Sequence, residues 1–111
     1  MSSATQQDVP GITRIDLQEH DLSVPGRHVV QNRVQVTPEA PPFRHFHHGE
    51  EVIYVLEGEL EYQIDGQSPR KVRAGEALTV PRETIHAVKG DGAELATFFV
   101  DKDKPLITLA E

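Results

Sequence analysis

The sequence predicts an all-β fold, a sandwich or barrel of antiparallel strands. Short runs rich in β-branched and aromatic residues follow one another, with turn chemistry roughly every 8–12 residues. No stretch of about 11 residues combines a helical period with caps. The chain has 111 residues, a length that suits one domain, since domains most often hold about 100–150 residues. The expected division is a flexible N-terminal tail over 1–10, closed by Pro10-Gly11, and a single domain over 11–111.

The elements follow in order. "GITRIDLQEH" reads as a first strand, and Val24-Pro25-Gly26 as a turn. "RHVVQNRVQVTP" alternates in its second half, with Val34 and Val36 on one face and Arg33 and Gln35 on the other; it is a strand that stops at Pro38. "EAPPF" is a loop, because two prolines cannot sit in a central strand. "EVIYVLEG" and "ELEYQID" read as two strands broken by Gly58, with a turn at Asp65-Gly66. "RKVRAG" and "EALTVP" are short strands around Gly75, closed by Pro81. "TIHAVKG" is separated from the apolar "AELATFFV" by a strong turn signal, Gly90-Asp91-Gly92. "DKDKPLITLAE" is a charged link and a short last strand.

Composition excludes several classes. Eleven Lys+Arg against eighteen Asp+Glu give a net charge of −7, which repels nucleic acid and anionic membranes. No helix-turn-helix pattern is attached, so a DNA-binding regulator is not expected. No apolar run approaches the ~18 residues of a membrane helix. There is no cysteine, so disulfides and thiolate chemistry are absent. "MSSATQQDVP" lacks a basic start and an apolar run, so no signal peptide is read and a cytoplasmic location is expected.

The chemistry concentrates in "RHFHHGEEVIYVLEG", Arg44 to Gly58. His45, His47 and Glu51 share parity, so on one unbroken strand they point to the same side, and His48 points away. Imidazole and carboxylate together suit divalent Mn, Fe, Co, Ni, Cu or Zn. His86, alone after Pro81, is the natural fourth ligand from another strand. On parity alone, a solvated histidine loop explains these residues as well as a metal centre does.

The full spacing adds more. "HFHHGEEVIYVLEG" runs H-x-H, three residues, Glu, six residues, Gly. "GEALTVPRETIHAVKG" runs Gly, five residues, Pro, and His five positions on. In this order and about twenty residues apart, the two stretches resemble the paired motifs of the cupin superfamily, and the chain is similar to small single-domain cupins of the quercetin dioxygenase-like sort. The resemblance implies a small antiparallel β-barrel of double-stranded jelly-roll type. It implies one divalent transition-metal ion held by His45, His47, Glu51 and His86. It implies Gly58 closing the first hairpin, Gly75 opening the second motif, and a homodimer. Glu83 stands where Gly is usual, and Gly90 where Asn is usual; neither is a ligand position, but the first puts the turn before His86 in question.

Functionally the resemblance implies a metal-dependent enzyme acting on a small organic molecule, with dioxygenase-like oxidoreductase chemistry as the nearest analogy. Glu51 would then serve as a proton acceptor as well as a ligand. The alternatives are a non-redox isomerase, lyase or decarboxylase, and a small-ligand-binding protein without catalysis, because fold does not fix chemistry. The substrate-binding residues are not legible. Arg33 and Gln35 face either the pocket or solvent, at most one of Phe98 and Phe99 faces inward, Tyr54 and Tyr62 are read as strand packing, and Glu50, His20, His28 and His48 as surface.

Overall fold

β-branched residues in alternation favour a pleated, half-buried surface, and the chain is strand almost throughout. A computed structural model describes residues 9–110. Its strands are β1 (Ile12–Asp21), β2 (Arg27–Val36), β3 (His45–Phe46), β4 (Gly49–Ile64), β5 (Arg70–Arg73), β6 (Ala77–Val80), β7 (His86–Asp101) and β8 (Thr108–Leu109). All strand pairings are antiparallel. The described residues contain no helix, hence none long and apolar enough to cross a membrane. Residues 1–8 of the expected tail lie outside the described residues. Val9 forms a bridge with Ile12, and Pro10 lies in a turn.

β7 organises the sheet. Along its second half it has β2 on one edge and β4 on the other, and at its start His86 meets β3. β1 extends the sheet beyond β2, and β5 and β6 lie along the outer edge of β4. The sheet curls so that one face closes on itself, the jelly-roll barrel that the sequence predicts. Inward positions carry the core: Val34, Val36, Ile53, Val55, Leu60, Val72 and Val80 are each at most 5% exposed. Burying one such side chain contributes about 1.5–3 kcal/mol.

Two sequence readings need correction. Gly58 does not close a hairpin, and Gly90-Asp91-Gly92 is not a turn. β4 runs through Gly58, and β7 runs through both Gly90 and Gly92. The glycines are there for close approach. Gly58 faces Gly92 in register and Leu60 faces Gly90. A Cβ on Gly58 would lie 2.1 Å from Asp91 O, one on Gly92 2.3 Å from Glu57 O, and one on Gly90 2.6 Å from Glu59 O. A bulge between Val55 and Glu57 accompanies them, as is common where a strand must bend. The bulge also switches the inward set from Ile53 and Val55 to Leu60, Tyr62 and Ile64. The actual hairpin after β4 is at Asp65-Gly66, as the sequence predicts, with Gln67 N donating to Ile64 O at 2.9 Å.

Gly58→Ala therefore should destabilise the protein by at least about 3 kcal/mol, since backbone must move. Gly66→Ala, at φ 86 with nothing near its Cβ, should cost only about 1 kcal/mol. Denaturant unfolding of both variants checks this; equal costs would contradict the close-approach reading.

Candidate metal centre

The two-residue strand β3 and the start of β4 aim the first three candidates. His45, His47 and Glu51 are buried at 8%, 3% and 4% exposure, so the pleat keeps its phase through Gly49. That residue cannot carry a side chain here: a Cβ would lie 1.9 Å from Phe99 O. The fourth candidate, His86, opens β7 directly opposite His45 and is 3% exposed. His48 points away, with Nδ1 3.1 Å from a Glu83 carboxylate oxygen. Glu83 is the one non-glycine at positive φ among the described residues, at 58°. Its N–H donates to His47 O at 3.0 Å, and with its carboxylate on His48 this holds the turn in shape where the motif that the sequence resembles usually has glycine.

The three imidazoles are oriented by backbone. Nδ1 of His45 lies 3.2 Å from Phe43 O, that of His47 2.7 Å from Leu106 O, and that of His86 2.9 Å from Thr84 O. A carbonyl oxygen only accepts, so each Nδ1 must carry the hydrogen, and each Nε2 is left with a bare lone pair. Nε2 of His47 and Nε2 of His86 both lie 3.1 Å from the same Glu51 oxygen. The His47 contact is short but lacks hydrogen-bond geometry, leaving that Nε2 buried without a partner. Ligand atoms of His45, His47 and His86 lie within 4.8 Å of one another. The His86 contact does have hydrogen-bond geometry, so either a second proton on that ring or a cation must join the converging lone pairs and carboxylate, which otherwise repel. The set therefore fits a divalent transition metal.

Burial and mutual contact set the charge of each group. Burial, then the neighbouring imidazoles of His86 and His47, push His45 down to about 4, so it stays neutral near pH 7. Burial would raise Glu51, but the imidazoles of His47 and His86 outweigh it and hold the carboxyl well below its usual range. Burial opposes the charged form of His86; Glu51 overcomes this and moves it upward.

The centre opens on a cavity of about 40 Å³ whose wall also includes Arg14, Phe43, Glu94 and Phe98. That volume holds roughly three water-sized groups. Sequence reasoning missed Arg14 and Glu94. Glu94 is 4% exposed and accepts a 2.5 Å hydrogen bond from the Tyr62 hydroxyl. Burial, then the charge of Glu51, push its carboxyl up to about 8 against the help of Tyr62. Tyr62 is thus more than strand packing. The one available signal was parity: Glu94 shares the inward face of "AELATFFV" with Ala96 and Phe98.

The remaining candidates lie elsewhere. Arg33 reaches Glu57 at 2.9 Å, and Gln35 donates to Gly92 O, both on the outer face. Of the phenylalanine pair, Phe98 is inward. Glu50 and Tyr54 are exposed, His20 is exposed, and His28 meets Glu19 at 3.0 Å.

With the geometry in place, comparison with known proteins assigns the family. The cupin domain family matches residues 32–101, and this chain belongs to it. No curated protein matches the chain. Among solved structures it is similar to KdgF from a Halomonas species (TM-score 0.71, 22% identity, 88% of this chain and 86% of that one). It is also similar to the polyketide cyclase RemF from Streptomyces resistomycificus (0.68, 22%, 100% and 84%). A third is a recombinant oxalate oxidase in complex with glycolate (0.66, 28%, 88% and 54%).

A pH prediction follows for Glu94. Its folded value, about 8, exceeds its ordinary 4.5. The protonated group therefore supports the metal-free fold at low pH, and that support is lost as pH rises from about 4.5 to 8. Glu94→Gln should remove this loss and gain about 1–3 kcal/mol on the metal-free wild type at pH 8, with little gain at pH 4.5. Denaturant midpoints of chelator-treated protein measure it; parallel pH curves would refute it.

Proposed function

We propose that this cupin is a metal-dependent enzyme acting on a small organic molecule, with one divalent transition-metal ion held by His45, His47, His86 and Glu51. The supporting observation is the inward turn of the His47 and His86 Nε2 atoms onto one oxygen of buried Glu51, with a ligand atom of His45 within 4.8 Å of theirs. When bound, such an ion supplies Lewis acidity that polarises a coordinated oxygen. Four protein ligands leave up to two positions of a six-coordinate ion for substrate, by extension of the open-site rule for catalytic zinc. Glu51, held ionised among imidazoles, is the base placed to accept a proton from a ligand at the ion. The small cavity favours a compact polar substrate over a flavonol.

A non-redox proton transfer, as in an isomerase, lyase or decarboxylase, is the reading that cavity size and the carboxylates favour. The dioxygenase-like oxidoreductase reading is the second; the likeness to an oxalate oxidase supports it. A homodimer is proposed on the outer face of the sheet. There Ile15, Leu17, Val52, Tyr54 and Leu56 are 36–50% exposed, and pairing across strands sets Ile15, Arg33, Leu95 and Tyr54 in one row.

Elemental analysis of purified protein should give near one transition-metal ion per chain. His47→Ala should lower occupancy at least tenfold at fixed free metal, while His48→Ala leaves it unchanged. The reverse pattern would overturn the ligand set. Substrate conversion without oxygen uptake would select the non-redox reading, and oxygen uptake the other. A loaded protein that binds small molecules but converts none across a broad panel would show a binding protein instead.

A further inference from the structure

The cavity has a wall that metal ligation does not use. Arg14 enters it from β1, and its Nε is buried with no acceptor in hydrogen-bond reach. Glu51, Glu94 and Asp16 attract the guanidinium through space, not by hydrogen bonds. The acceptors of Glu94 are engaged elsewhere at least in part, by Tyr62 at 2.5 Å. Leaving a buried donor unmatched costs about 1–3 kcal/mol, more for a charged group. A guanidinium offers a planar fork of donors that matches a carboxylate.

Charge balance points the same way. A divalent ion and Arg14 would bring three positive charges into the barrel. Glu51, Glu94 and Asp16 bring at most three negative ones, and two when Glu94 holds its proton, which leaves one positive charge in excess. Buried excess charge is costly in a low-dielectric interior, and a monoanion reduces it. The cavity admits a planar group of a few heavy atoms.

We infer that Arg14 anchors the carboxylate of a small organic acid, held in the cavity beside the ion of His45, His47, His86 and Glu51. The inference rests on the proposed metal centre and names its substrate class. Arg14 is then a substrate-binding residue that sets specificity for acids over their neutral counterparts.

The test is calorimetric titration of cobalt-loaded protein with glycolate and with uncharged glycolamide, with cobalt content measured in every sample. Wild type should bind glycolate. Arg14→Gln should weaken it roughly 10- to 100-fold, with Arg14→Lys between the two, while glycolamide affinity and cobalt content stay unchanged. If wild type holds cobalt but does not bind glycolate, or Arg14→Gln binds it equally well, the anchor is overturned and the metal centre stands. If wild type holds no cobalt, the metal centre itself fails. The Arg14→Gln/Glu94→Gln double variant removes a further ambiguity. An anchor predicts that it stays as weak as Arg14→Gln, and recovery to wild-type affinity would show that Arg14 merely neutralises Glu94. Should Arg14→Gln not fold, Arg14→Lys decides, because loss of the fork weakens an anchor and leaves a counter-ion's effect intact.

Discussion

Three backbone carbonyls, those of Phe43, Thr84 and Leu106, decide what the interior of this barrel can bind. Each faces the Nδ1 of one histidine and so commits that ring to a single neutral tautomer. The free lone pairs are thereby directed at a common point beside Glu51. Without those contacts the same three histidines could donate to Glu51 and to one another, and the cluster would satisfy itself as an ordinary buried hydrogen-bond network. With them, the cluster has a place for one positive charge; burial keeps His45 from supplying it as a proton, Glu51 favours a proton on His86, and a metal ion would compete with that proton.

The rest of the fold serves that orientation. Gly49 lets β4 lie against β7 closely enough to keep His47 and Glu51 in phase. The glycine contacts at Gly58, Gly90 and Gly92, with the bulge at Val55/Glu57, bend the β4–β7 pair so that its far end returns His86 to His45. The segment after β7 folds back to place Leu106 O on His47 and β8 against β3. Cofactor-binding potential is thus distributed over the whole chain, while the ligand candidates come from two short stretches.

That distribution explains what could be read in advance. The convergence of His45, His47 and Glu51 was legible because strand parity is a strict period of two, and the second stretch was legible from its spacing to His86. Gly58 and the Gly90–Gly92 pair were misread because glycine serves turns and close approaches equally well, and only the partner strand distinguishes them. Arg14 was hidden for a different reason. In β1 the apolar residues Ile15 and Leu17 face outward at 49% and 50% exposure, and the polar Arg14 lines the cavity, so hydrophobic patterning points the wrong way. Leu106 contributes only a carbonyl, for which no side-chain pattern exists.

The central claim is that three Nε2 atoms, each opposed by an Nδ1–H on a carbonyl, meet one cation. Proton NMR of the cobalt(II)-substituted protein in water tests it most directly. Three strongly shifted, solvent-exchangeable signals are expected, one for each Nδ1–H of His45, His47 and His86, all absent in deuterium oxide. Fewer than three such signals at one cobalt per chain, or rings bound through Nδ1, would contradict it.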